Sequence, residues 1–227
     1  MGEETTVSLH GMWASPYARW IKIALKIKGI NYEYVEENLK KKSQILLRYN
    51  PIYKKVPLLI HDNNPIIESL VILQYIDDTW KVSQPLLPLD SYSRYIVRFW
   101  ADFIINQLDM SLRKVITSEE IDEEMNIEEV KMKLNILEAS MNTIFPYDPP
   151  SSCEEMRMLD ILMCTLPTII KGIEEAFNIK LMDAKEYPLI FSRMSSLSDL
   201  TVVKETAPSH EKMIKFYRAY RHLYNSK

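Results

Sequence analysis

A backbone edge, an acid and a hydroxyl fall together between Lys54 and Ser69. Val56-Pro57 leads into the apolar run Leu58 to Ile60, a polar turn covers His61 to Asn64, and a second apolar run covers Pro65 to Ile67. Glu68-Ser69 then opens a long amphipathic segment. This order predicts a hairpin handing over to a helix N-terminus. Free backbone N–H groups and the helix dipole favour a bound carboxylate there. Such a site suits a peptide-like ligand. Glu-Ser alone is also an ordinary helix start, so the pair needs its surroundings to mean more.

The elements that must position these residues can be read from period and punctuation. Val7 to His10 is apolar enough for a strand. Ser15-Pro16 reads as N-cap and first helical position. Ile21, Ala24, Leu25 and Lys28 then recur at helical spacing, and Gly29 supplies the stop. Asn31 to Glu36 reads as a second strand, Lys40 to Asn50 as a short helix and loop, and Glu68 to about Trp80 as a helix. Strand, helix, strand, hairpin and helix make a small α/β unit over residues 1–82. Pro85 and Pro88 mark a linker at 83–91. Residues 92–227 show no strand pattern. Helical periods run over 92–114, through Ile96, Phe99, Trp100, Phe103, Ile104 and Leu108, and over 122–144, 154–177, 185–198 and 209–224.

Composition narrows the chemistry. The chain has 227 residues, 47% hydrophobic and 26% charged, with a net charge of −3. That balance offers no general attraction to nucleic acid or an anionic membrane surface. No apolar run approaches the roughly 20 residues that span a bilayer. The acidic start Met1 to Thr6 does not read as a secretory signal, and Met1-Gly2 is only a weak myristoylation cue. Cys153 and Cys164 give neither a disulfide framework nor a metal spacing, which fits a reducing, cytosolic setting. The four histidines are scattered and form no ligand pattern, so no metal is expected. Four glycines exclude a Gly-rich phosphate loop.

Specific strings sharpen this outline. Ser-Pro-Tyr-Ala-Arg followed by Ile-Lys-Ile-Ala-Leu lies at 15–25, Lys-Gly-Ile-Asn-Tyr-Glu-Tyr at 28–34, and Asn-Leu-Lys-Lys-Lys-Ser at 38–43. Asn-Pro-Ile-Tyr-Lys-Lys-Val-Pro stands at 50–57, Glu-Ser-Leu at 68–70, Gln-Tyr-Ile-Asp at 74–77, and Arg-Phe-Trp-Ala-Asp-Phe-Ile at 98–104. Long and in order, they resemble the cytosolic glutathione transferases, and among them the plant tau class. The match is dense over 7–104 and thin beyond about 115. The resemblance implies a thioredoxin-like α/β domain that binds glutathione, then an all-helical domain holding a hydrophobic acceptor. It also implies a homodimer. A dimer face fits the apolar and aromatic residues around Trp80, Tyr92 and Trp100.

The implied chemistry is thiolate attack on an apolar electrophile. A thiol with a pKa of about 8.5 is a few per cent ionised at neutral pH, and the thiolate is the nucleophile. Lowering that pKa by about two units takes roughly 2.7 kcal/mol of differential stabilisation. By resemblance Ser15 is the catalytic hydroxyl, donating to the sulfur beside a helix N-terminus; capping is its second role. Val56 would offer its backbone N–H and C=O to the cysteinyl unit of glutathione, and Pro57 would follow a cis bond. Glu68 would face the γ-glutamyl ammonium and Ser69 its carboxylate. Lys42 and Lys55 would pair with the glycyl carboxylate. The hydrophobic pocket would be lined by Tyr17, by Gln107, Met110 and Ser111, and by Met213, Phe216 and Tyr217. The same site would serve glutathione-dependent isomerisation or peroxide reduction. A non-catalytic carrier of hydrophobic ligands is the reading of a different class.

Three departures from the tau pattern stand out. Arg157-Met158-Leu159-Asp160 replaces Gly-Tyr-Leu-Asp, keeping an aspartate that can accept backbone N–H bonds at a helix start. Ala18 stands where glycine is usual. Pro167 falls inside a helical pattern and predicts a kink.

Overall fold

The computed structural model describes residues 6–226; the reading of the acidic start falls on residues 1–5, outside that range. Strand β1 (Val7–Gly11) is followed by α1 (Pro16–Ile27), β2 (Glu33–Glu36), α2 (Gln44–Tyr49), β3 (Leu58–His61), β4 (Asn64–Ile67) and α3 (Ser69–Thr79). The strands form one mixed sheet in the order β2-β1-β3-β4. β2 runs parallel to β1, β3 antiparallel to β1, and β4 antiparallel to β3. The hairpin turns through Asp62 and Asn63, at φ 47° and 65°, a pair of left-handed residues whose twist matches that of the strands.

Helix α1 is held at both ends by local chemistry. Pro16 presets the first turn, and the Ser15 hydroxyl accepts the Ala18 N–H at 3.2 Å. At the other end Gly29 sits at φ 65°, where a side chain would be strained. This lets Ile30 N–H reach Leu25 O at 2.9 Å and Gly29 N–H reach Lys26 O at 3.0 Å. Between the caps, Ile21, Ile23, Ala24 and Leu25 are fully buried against the sheet, α3 and the helical half. Burying each of the isoleucines and the leucine contributes about 1.5–3 kcal/mol, and the Ala24 methyl about 0.8.

The stretch between α3 and α4 is tied down rather than loose. Asp77 accepts the N–H groups of Leu86 and Leu87 at 2.8 and 3.0 Å and pairs with buried Lys28 at 2.9 Å. Helices α4 (Ser91–Asp102), α5 (Asp109–Thr117), α6 (Glu123–Ile144), α7 (Met158–Met163), α8 (Leu166–Phe177), α9 (Pro188–Asp199), α10 (Thr201–Thr206) and α11 (His210–Asn225) complete the chain. Gly172 of α8 lets α11 approach: a Cβ there would lie 2.8 Å from the Tyr217 ring.

Two expectations need correction. The single helix expected over 92–114 contains a widened turn at Phe103–Leu108, where the Asp109 N–H bonds Ile104 O, five residues back. An added residue per turn keeps the apolar spacing plausible while rotating α5 about its axis. Pro167 does not kink a helix; it sits in the first turn of α8, after a break at Cys164 and Thr165, where its missing N–H costs nothing. Asp160 does accept a backbone N–H at a helix start, from Arg157 at 3.0 Å. Its other oxygen takes two bonds from buried Arg193, at 2.9 and 2.7 Å.

Candidate active site

The sheet register brings four chain segments to one end. β1 ends at Gly11, beside Glu36 at the end of β2. Leu58, at the start of β3, pairs with His10 on one side and with Ile67, the end of β4, on the other. Met12 to Ser15, Glu37 to Ser43, Lys55 to Pro57 and Glu68-Ser69 therefore all leave from that end. Ser15, Lys42, Lys55, Val56, Pro57, Glu68 and Ser69 lie on these segments.

Each segment has its own local reason for its shape. Ser15 is half-buried, and its oxygen is already an acceptor for the cap, so its own hydrogen is free to donate outward. The Val56-Pro57 bond is cis, with Pro57 buried and Val56 half-exposed. Asn50 holds this loop by donating from Nδ2 to Lys55 O at 3.0 Å. Glu68 is exposed at φ 69°, a region costly for a residue with a Cβ. Strain of order 1–3 kcal/mol clusters at ligand-binding positions, although turns and helix ends such as Asp62, Asn63 and Asn178 also adopt positive φ. Ser69 rather than Glu68 is the first residue of α3, so the side-chain acid sits at the cap position.

Lys42 is half-buried just before α2. Its neighbour Ser43 caps that helix, accepting Leu46 N–H at 3.1 Å and donating its hydroxyl to Glu37 at 2.6 Å. Glu37 is 3% exposed and also accepts from His10 Nδ1 at 2.8 Å and from Ser43 N–H at 3.2 Å. Burial alone would raise its pKa; the hydrogen bonds from Ser43 and His10 outweigh burial and bring it down.

A narrow cleft beside Ser15 is lined by Trp13, Arg19, Thr168, Ile169 and Met213 among others. Of the expected acceptor residues it takes in Met213 directly. Phe216 joins its rim through an edge contact with Trp13, ring centres 5.6 Å apart, and buried Tyr217 packs against Phe216 at 5.8 Å. Tyr17 turns toward α5: its hydroxyl donates to Asp109, whose same oxygen takes Arg113 Nε at 2.7 Å. Burial, then the Asp109 charge, hold the Tyr17 phenol above its ordinary range, and burial does the same for Tyr217.

The widened turn reassigns the rest. Gln107 is exposed and accepts from Lys133 of α6 at 3.2 Å, and Met110 is 53% exposed. Ser111 is fully buried, with its hydroxyl on Leu108 O at 2.8 Å. Neither Gln107 nor Ser111 is brought to the cleft beside Ser15. Asp109 is the α5 residue that meets Tyr17. Trp13, Arg19 and Thr168 are lining residues that the sequence reading does not single out; the first two lie within four residues of Ser15, which is the signal that points to them. No group of three or more His, Cys, Asp or Glu suited to a metal occurs among the described residues. No helix among them is long and apolar enough to cross a membrane.

Residues 5–78 match the family model of the glutathione S-transferase N-terminal domain. Over 224 residues the chain is 40% identical to glutathione S-transferase U9 of Arabidopsis thaliana, covering 97% of this chain and 93% of that protein. Glutathione S-transferase U10 of the same plant is 35% identical over 219 residues, with 96% and 94% covered. Among solved structures, the tau-class glutathione S-transferase of mango, Mangifera indica, superposes with a TM-score of 0.86 at 30% identity, covering 94% of this chain and 98% of that one. A rice glutathione transferase in complex with glutathione gives a TM-score of 0.86 at 27% identity, with 98% and 99% covered. The thioredoxin-like first domain and the helical second domain are those of this fold, and the chain belongs to the glutathione S-transferases, in their tau class.

Proposed function

We propose that this transferase ionises the thiol of glutathione at Ser15 and directs it to an apolar electrophile that approaches over the mouth of the cleft between α1, α8 and α11, itself only about 10 Å³. The observation that carries the reading is the convergence of Ser15, the cis Val56-Pro57 edge and the Glu68-Ser69 helix start at one end of the sheet. The rice relative, solved with glutathione, supports the identity of the thiol donor. Val56 would pair with the cysteinyl backbone, Glu68 and Ser69 with the γ-glutamyl end, and Lys42 and Lys55 with the glycyl carboxylate. Met213, Phe216, Tyr217 and Tyr17 would shape the acceptor side.

Conjugation of a generic aryl halide by wild type and Ser15→Ala tests this. With the thiol pKa lowered by about two units in wild type, the variant should lose roughly 20- to 100-fold in kcat/KM near neutral pH. Full activity in the variant would remove Ser15 from the mechanism. No turnover in either protein, with tight binding of hydrophobic ligands, would favour a carrier.

The boundaries 1–82, 83–91 and 92–227 and a cytosolic location are part of the same proposal. So is a homodimer. Tyr92, Tyr95 and Phe99 of α4 stack in series, ring centres 6.0 and 6.3 Å apart, while remaining 70%, 55% and 51% exposed. An aromatic row this open is the kind of surface a partner covers. Sedimentation of the purified chain at the mass of one protomer would refute the dimer.

A further inference from the structure

Arg19 is 6% exposed and lies one helical turn beyond Ser15 on α1. All three of its guanidinium nitrogens have partners, and all the partners are neutral. Nη2 donates to Val203 O at 2.8 Å, Nη1 to Thr168 Oγ1 at 3.1 Å and Nε to Thr206 Oγ1 at 3.4 Å. Among the described residues no carboxylate oxygen comes within 4.0 Å of it. The nearby Cys164 thiol, pushed up by burial to about 12, is uncharged near neutral pH. A guanidinium stays protonated even so.

Burying a charge without a counter-charge is costly. A clamp between α1, α8 and α10 built only on hydroxyls and a carbonyl does not need one. We propose that Arg19 is an electrostatic residue of the reaction, its uncompensated charge standing behind Ser15 to stabilise the thiolate of bound glutathione. Arg19 lines the same cleft as Ser15 and is 6% exposed, so little bulk water screens its charge. The other charges on the elements around it are paired, stacked or, like Glu211, exposed to solvent. Lys26 pairs with Glu205 at 2.6 Å, Lys204 with Asp199 at 3.0 Å and His210 with Glu175 at 2.8 Å. Lys22 lies over the Tyr34 ring at 3.3 Å. Lys212 and Lys171 are exposed, where salt screens them.

The proposal rests on the glutathione site described above, and one titration separates the two. The ultraviolet thiolate band of bound glutathione, tracked against pH, gives the thiol midpoint directly. Arg19→Gln should raise that midpoint by about one pH unit, with a matching shift in the pH profile of kcat/KM. Should Arg19→Gln fail to fold, Thr168→Asp keeps the arginine in place and neutralises it; the midpoint should rise by a similar amount. Thr206→Val loosens the clamp but leaves the charge, so it should lower Tm and leave the midpoint. An unshifted midpoint in folded Arg19→Gln or in Thr168→Asp would make Arg19 a structural clamp only. Wild type showing no thiolate band at all would instead overturn the glutathione site.

Discussion

At the open end of the sheet the groups proposed to face glutathione are positioned by backbone register and helix starts, whereas the lining of the cleft among α1, α8 and α11 is positioned by side-chain packing. Val56, Ser69 and the segment ahead of Ser15 stand where strand register and helix starts put them. Trp13, Met213 and Phe216 stand where packing aims them. At the sheet end only Val56 would act through backbone groups that any residue carries; Ser15, Glu68, Lys42 and Lys55 would act through side chains, but their positions follow from strand register and helix starts. A side-chain-built cleft is remade by single substitutions. The same chain can therefore keep one substrate while changing the other.

The largest expected effect is in the helical half. Arg193 is 3% exposed, bonds Asp160 twice and Tyr147 O once at 3.3 Å, and lies 3.7 Å over the Phe145 ring. Arg193→Ala leaves the Asp160 carboxylate buried without its cation, which costs about 3–5 kcal/mol. Guanidinium denaturation of the variant reads this directly. A loss below about 1 kcal/mol would mean that the start of α7 holds without the pair, and that the helical half is as tolerant as the sheet.

The sequence made the sheet end readable for a physical reason. Each of its parts is short and local: Ser15-Pro16, Val56-Pro57, Asp62-Asn63, Glu68-Ser69. Turn and cap chemistry acts within about four residues, so a string of letters nearly determines the geometry. The helical half depends on contacts that the string does not show. Arg193 of α9 finds Asp160 of α7, 33 residues earlier and past α8. The widened turn at Phe103–Leu108 shifts the register of α5, and Asp109 is the residue that meets Tyr17. Apolar period does not reveal the widened turn, because Ile104, Leu108 and Leu112 recur at ordinary helical spacing and are all buried. Arg19, four residues after a cap, looks in sequence like a solvated helix face, and only α8 and α10 folding over it bury its charge.

A middle-sized effect crosses the two regions. In the proposed pose Glu68→Ala would remove a charged hydrogen-bond partner of the γ-glutamyl ammonium, worth about 1.5–3 kcal/mol, or roughly 10- to 100-fold in glutathione affinity. Acceptor KM at saturating glutathione should hardly move. Met213→Leu conserves volume and should cost little stability, under about 1.5 kcal/mol. It should change acceptor KM a few-fold while glutathione KM stays put. Steady-state kinetics with both substrates varied would show whether the effects separate. Both variants shifting both KM values alike would erase the distinction between a backbone-set and a side-chain-set half.

The smallest effect lies under the sheet end and depends on pH. Glu37 ties β1 to the start of α2 through His10 and Ser43, and those bonds hold its folded pKa below the ordinary carboxylate value near 4.3. A carboxylate whose folded pKa is depressed stabilises the fold above its unfolded pKa. That contribution is lost as pH falls from about 5 through the folded value, because the unfolded chain then takes up the proton first. Glu37→Gln keeps an acceptor but not the charge, so it should cost about 1 kcal/mol at neutral pH. Between about pH 5 and pH 3 the gap between wild type and variant should close, since only wild type loses this term on acidification. Urea midpoints taken across that range test it. Since Ser43 adjoins Lys42, glutathione KM should rise slightly in the same variant. A gap that stays constant with pH would show that Glu37 holds α2 by shape alone, with its charge contributing nothing to that corner of the site.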